Sequence, residues 1–289
     1  MLYDLLIAPF ADFAFMRRAL AGALALSLAG GPVGVFLVLR RMSLMGDAMS
    51  HAILPGAAMG YLVSGLSLGA MTLGGMLAGF AVAIASGAVA RATALREDAS
   101  MAAFYLISLA LGVVIVSMRG SSVDLLHVLF GAVLALDDAT LLLLASIASL
   151  TLAAFALLYR PLVLETLDPG FLRSVSWSGS FAHFAFLALL VLNLIAGFHA
   201  LGTLLAVGLT MLPAASARLW SNDLTRMIAI AMAGGAAASI AGLLLSYHAG
   251  APTGPSIILA AGLFYFVSLV FGRSGGLLRN LRRRRHLEG

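Results

Sequence analysis

The chain has 289 residues, 62% of them hydrophobic and 10% charged, with a mean hydropathy of +1.07 and a formal net charge of +5. That composition excludes a soluble globular fold, and long apolar runs in place of strand-like alternation exclude a β-barrel, so the class is an all-α integral membrane protein. With no cysteine there is no thiolate metal site. With no lysine, all 17 basic residues being arginine, there is no G-x-x-x-x-G-K-[ST] phosphate loop, so any ATP-driven step belongs to another subunit.

In chain order, apolar runs predict spans near 19–39, 46–65, 68–90, 101–118, 139–158, 180–199, 200–217, 227–247 and 255–272. The run after Arg17 and Arg18, about 21 residues, is too long for a signal-peptide core and reads as a first span. A shorter apolar stretch, Leu125 to Leu136, is too short to cross and is predicted to be re-entrant or interfacial, flanked by Arg119 and the pair Asp137 and Asp138. The result is a polytopic bundle of about 8–9 transmembrane helices forming a single domain over 1–289. Its least certain joint is at 199–201, where two spans meet with almost no loop. Small-xxx-small pairs such as Gly30/Gly34 and Gly75/Gly79 suit close helix contact in lipid.

Arginine counting sets the orientation. With the N-terminus outside and the C-terminus cytoplasmic, the inner set is Arg40, Arg41, Arg91, Arg96, Arg160, Arg173, Arg218, Arg226, Arg273, Arg279 and Arg282 to Arg285, which is 14 of the 17. Only Arg17, Arg18 and Arg119 lie outside. The basic tail over 273–289 reads as a solvated anchor facing anionic lipid, with no nucleic-acid partner.

The chemistry concentrates in RRMSLMGDAMSHAILPG, Arg40 to Gly56. Asp47 and His51 stand four residues apart, on one helix face and about 6 Å apart along its axis. No other charged group follows as far as Val63, so the pair enters a span, where ionisable residues are costly and serve ion or substrate pathways. Carboxylate and imidazole together suit Mn²⁺, Zn²⁺ or Fe²⁺; the competing reading is a pair that merely neutralises itself inside the bundle. Arg40 and Arg41 read as interface anchors, and Met45 and Met49 as packing. Pro55 and Gly56 are expected to bend or loosen the helix.

Other motifs carry less. His127 follows Asp124 at i,i+3 in the short stretch and suits an entrance pair; His199 and His248 fall at outer span ends; His183 and His286 lie on the cytoplasmic side without an assigned role. Gly65 to Gly69 matches G-x-S-x-G around Ser67, but it joins two spans and lacks the strand–turn–helix setting of a nucleophile elbow. The longest polar segment, about 160–180, is punctuated by Pro161 and Pro169. In it Asp168 is positioned to cap a short helix through Phe171, Leu172 and Val175, which either lies on the bilayer or docks into a partner through Phe171 and Leu172.

The motif from Arg40 to Gly56 strongly resembles the signature of permease subunits of manganese/zinc/iron-type ABC importers. LHVLFGAVLAL (Leu126 to Leu136), GTLLAVGLTMLPAASARL (Gly202 to Leu219) and SYHAGAPTGPSIILAAG (Ser246 to Gly262) agree, so the resemblance spans almost the whole chain. It implies a type II ABC importer-like fold in the bacterial cytoplasmic (inner) membrane: a homodimeric pore with two cytoplasmic ATP-binding cassette subunits and an extracytoplasmic metal-binding protein. The chain would not itself be an enzyme and would hold no permanent cofactor, only the transported Mn²⁺ or Zn²⁺, or Fe²⁺. The resemblance makes Asp47 and His51 the metal contacts in the path, and the segment from Asp168 to Ser178 the coupling helix that meets the ATPase. There the chain departs from the family's frequent D-P-E-F-A-R-A-L-G, at Gly170 and at Ser174 to Trp177. Two rival transport functions stand beside this one: a secondary metal transporter without an ATPase, and an ABC permease for an iron chelate or cobalamin.

Overall fold

A backbone in hydrocarbon must satisfy its own hydrogen bonds, and this chain does so with helices. The computed structural model describes residues 2–65, 67–95, 97–118, 133–168, 170–172 and 178–279. Asp124, His127, most of the stretch 125–136, Ser174 to Trp177, Arg282 to Arg285 and His286 lie outside the described residues. Among the described residues there is no strand.

Two short helices, α1 (Leu2–Leu6) and α2 (Ala8–Asp12), lead into α3 (Ala14–Leu39). Then come α4 (Met45–Ala52), α5 (Leu54–Ser64), α6 (Leu68–Ala92), α7 (Glu97–Met118) and, after a 3₁₀ turn at Val133–Ala135, α8 (Asp138–Leu167). The last four are α9 (Ser178–Leu201), α10 (Thr203–Trp220), α11 (Leu224–Ala249) and α12 (Thr253–Phe271). Eight helices, α3 and α6 to α12, are long and apolar enough to cross a membrane. The predicted span 46–65 is instead the jointed pair α4 and α5. Pro55 has no N–H to give the His51 carbonyl, and the chain turns at Ile53. The joint at 199–201 resolves into a sharp reversal at Gly202, whose φ of 89° a side chain would strain. Beyond it α10 keeps 18 residues of spanning helix, though its hydropathy of 1.3 is the lowest of the eight.

Contacts between helix ends show which termini share a face. At one end Arg40 donates from Nε to Thr166 Oγ1 (3.1 Å), the Ser100 hydroxyl donates to the Ser86 carbonyl (3.0 Å), and Ser274 N–H donates to the Leu219 carbonyl (2.8 Å). At the other, Arg18 pairs with Asp138 at 3.0 Å and His248 Nε2 meets the Leu5 carbonyl at 2.9 Å. These pairings are compatible with the alternation expected of successive crossings.

Without a hydrophobic drive in lipid, close packing and polar contacts between helices hold the bundle. Gly34 lies against the Thr210 backbone carbonyl, and Gly56 and Gly74 meet backbone to backbone; a Cβ at any of them would overlap a neighbour. Asn193 Nδ2 donates to Thr151 Oγ1 at 2.7 Å, joining α9 to α8, and the Ser27 and Ser239 hydroxyls meet at 3.2 Å between α3 and α11. Phe36, wholly buried, centres an aromatic cluster with Phe155 and Phe186, at ring separations of 5.4 and 6.1 Å.

One predicted boundary moves substantially. The span 139–158 continues as helix through Arg160 and Pro161 to Leu167: proline's fixed φ is compatible with helix, and packing against α3 and α9 offsets its lost hydrogen bond and its clash with the preceding turn. The polar segment therefore begins as helix.

Candidate functional site

The eight residues of α4 place Asp47 and His51 on one face, with Asp47 in the first turn, where the helix N-terminus favours a carboxylate. His51 Nε2 stands 3.8 Å from Asp47 Oδ1. That exceeds hydrogen-bond length but lies within ion-pair reach, and the Asp47 side chain, 67% exposed against 32% for His51, keeps oxygen surface open to another partner. The opposite face of α4 buries Met45 and Met49 in the core, as the sequence reading expects.

Helix α7 braces this element along one face at helical spacing. Met101 is buried against it. The Tyr105 ring lies 6.3 Å from the His51 ring at an interplanar angle of 30°. The Ser108 hydroxyl donates to the Ala52 carbonyl at 2.9 Å, beside the break, and Gly112 leaves room for Pro55. Between α4 and α7 opens a cleft of about 470 Å³ lined by Arg41, Ser43, Asp47, Asp98, Met101 and Tyr105, among others. It lies at the end of the bundle where Arg40 meets Thr166, the same end as Asp168.

Asp168 caps a turn as its position suggests: Oδ1 accepts from the Phe171 N–H at 2.8 Å. Phe171 is 55% exposed, whereas Leu172 is 5% exposed and turned into the chain. Val175 lies outside the described residues. His183 is buried near the cleft end. His199 Nδ1 meets the Ile195 carbonyl of its own helix at 3.0 Å, and His248 sits at the opposite end against Leu5. Ser67 is the N-cap of α6, accepting from Ala70 N–H at 3.5 Å, a helix-capping role that accounts for it without a nucleophile. Among the described residues no group of three or more His, Cys, Asp or Glu side chains could hold a metal. One chain therefore offers the pair Asp47 and His51, with Asp98 across the same cleft.

Sequence reasoning did not single out Asp98, Tyr105 or Ser108. All three come from α7, and their signal is only the spacing of Met101, Tyr105, Ser108 and Gly112 along one helix face.

Eight helices long and apolar enough to cross define a multi-pass membrane protein. The family model described as the ABC 3 transport family matches residues 12–272, and the chain belongs to that family. It is a permease subunit of the manganese/zinc/iron type of ABC importer, as the resemblance implies. Relatives include the manganese transport system membrane protein MntC of Listeria monocytogenes, 32% identical over 94% of this chain and 96% of its own length. The manganese import system permease protein ScaB of Streptococcus gordonii is 34% identical over 89% of this chain and 91% of its own. Among solved structures, PsaBC from Streptococcus pneumoniae in complex with Fab matches with a TM-score of 0.83 at 30% identity, covering 96% of this chain and 99% of the matched one.

Proposed function

We propose that this chain forms the pathway by which a divalent transition-metal ion, manganese foremost, enters the cell through the bacterial cytoplasmic membrane. The observation that carries the proposal is the Asp47/His51 pair on α4: an accessible carboxylate and an imidazole 3.8 Å apart, on a helix that opens onto a cleft. A carboxylate oxygen and an imidazole nitrogen suit Mn²⁺, Zn²⁺ or Fe²⁺, and the two relatives named for manganese support putting that ion first. Two donors hold a metal loosely. A second copy of the chain, related by a twofold axis, would bring a second pair, so the pathway is a homodimer. Contact with the ion is transient, since tight coordination would oppose release.

The chain has no phosphate loop, so the energy comes from two cytoplasmic ATP-binding cassette subunits, and an extracytoplasmic metal-binding protein delivers the ion. The N-terminus lies outside and the C-terminus inside, which puts the arginine-rich end of the bundle, the cleft and Asp168 in the cytoplasm. The Asp168 turn is the coupling element: Asp168 fixes its start, Leu172 anchors it, and Phe171 offers the apolar contact to the ATPase.

The test is Mn²⁺ uptake into proteoliposomes holding the assembled transporter. Asp47→Ala and His51→Ala are each expected to lower uptake at least about a hundredfold while the complex still assembles. Normal uptake by either variant would sink the assignment.

A further inference from the structure

Arg41 is the only non-glycine residue with a positive φ among the described residues, at 59°. Its neighbours explain the conformation. Arg41 N–H donates to the Val38 carbonyl at 3.2 Å, and Met42 N–H donates to the Leu37 carbonyl at 2.9 Å. These are the two bonds that close a helix when the residue past its end turns left-handed, a position glycine fills most easily because a Cβ there is crowded. Ending α3 therefore asks for glycine, and the chain has arginine.

The side chain gives a reason. Arg41 is exposed, lines the cleft that holds Asp47 and Asp98, and its side chain makes no hydrogen bond or ion pair among the described residues. Its neighbour Arg40 is differently placed: Nε donates to Thr166, and the guanidinium sits 4.4 Å from the Phe186 ring centroid. Of the two consecutive arginines, one is built into the bundle and the other is turned to the cleft. A guanidinium keeps its charge at any physiological pH, so the cleft carries a permanent positive charge beside its carboxylates.

We propose that Arg41 is the release residue of this pathway: a fixed positive charge, set over the cleft by its left-handed backbone, that weakens cation binding at Asp47 and lets the ion leave. The inference rests on the reading of Asp47 and His51 as the path. A divalent ion beside Asp47 meets the repulsion with twice the force of a monovalent one. The same charge, held over the cleft without pairing to a carboxylate, opposes rebinding from the cytoplasm. This is a positioning and specificity role through charge, distinct from that of a headgroup anchor or a helix terminator.

The experiment compares Arg41→Gly, Arg41→Gln and Arg41→Lys in the assembled transporter, reading equilibrium Mn²⁺ binding, uptake and thermal stability. Arg41→Gly is expected to melt no lower than the parent, bind Mn²⁺ about tenfold tighter and turn over about tenfold more slowly. Arg41→Gln keeps the Cβ and removes the charge, so it should show the same tighter binding whether or not the glycine variant assembles. Arg41→Lys should restore both affinity and rate. In an Asp47→Ala background the effect of Arg41→Gln on Mn²⁺ binding should vanish. Unchanged Mn²⁺ affinity and uptake in Arg41→Gln would overturn the inference and leave Arg41 a helix end or lipid anchor. Normal uptake by Asp47→Ala alone would instead overturn the pathway on which it rests.

Discussion

Asp47 and His51 read from sequence as either a metal contact or a self-neutralising pair, and their geometry is compatible with both. At 3.8 Å they lie within ion-pair reach but beyond a hydrogen bond, and the two-thirds-exposed carboxylate is open to a further partner. The pair was legible because i,i+4 spacing is a local property. Asp98 and Tyr105 were not, since only tertiary packing brings α7 to α4, and the left-handed backbone of Arg41 was not, because a dihedral leaves no trace in composition. A different residue sets an acid response. Asp137 caps α8, accepting from the Thr140 N–H at 2.9 Å, and its hydrogen bonds from Thr140, side chain first and then backbone, hold its carboxyl below the ordinary carboxylate range. A lowered folded-state pKa contributes stability that is complete above the ordinary value and is lost as pH falls through the lowered one. Asp137→Asn keeps a capping oxygen and is expected to flatten that acid dependence in thermal melts taken from neutral to acidic pH. An unchanged pH slope would refute the assignment.

At the scale of elements, the apolar runs located each of the eight helices long and apolar enough to cross, because hydropathy and length are enough to define a span. Its ends were harder. Arg160 and Pro161 suggested a stop, yet α8 runs on to Leu167, since helix continuation there depends on packing against α3 and α9 and not on composition. Pro55 did announce the break between α4 and α5, though not what holds it. Ser108 and Gly112 on α7 supply the missing part, one giving a hydrogen bond beside the joint and the other space for the proline ring. The same helices test the packing argument. Gly56→Val would drive its side chain into the Gly74 carbonyl, and we expect a loss of roughly 1–3 kcal/mol or more, seen as a lower melting temperature in detergent. Gly69→Ala, where a Cβ meets nothing, is the matched control and should melt as the parent does.

For the whole molecule, the cleft and the Asp168 turn share one end, so the two proposed contacts, with the ion and with the ATPase, lie on the same face. They are separable by mutation. Phe171→Asp is expected to cut Mn²⁺-stimulated ATP hydrolysis by the assembled transporter about tenfold or more while leaving Mn²⁺ binding intact. Loss of binding, or undiminished hydrolysis, would count against Phe171 as the docking contact. Leu172→Asp, placing a charge at a site only 5% exposed, should instead reduce the yield of folded protein.

Helices α3 and α8 are also fastened to each other twice. Helix α8, 30 residues and therefore about 45 Å long, outreaches a hydrocarbon core of about 30 Å. It meets α3 through Arg18 and Asp138 at one extremity and through Arg40 and Thr166 at the other. We therefore expect α3 and α8 to move as one unit, leaving the jointed pair α4 and α5, where Asp47 and His51 reside, as the part of the bundle that yields.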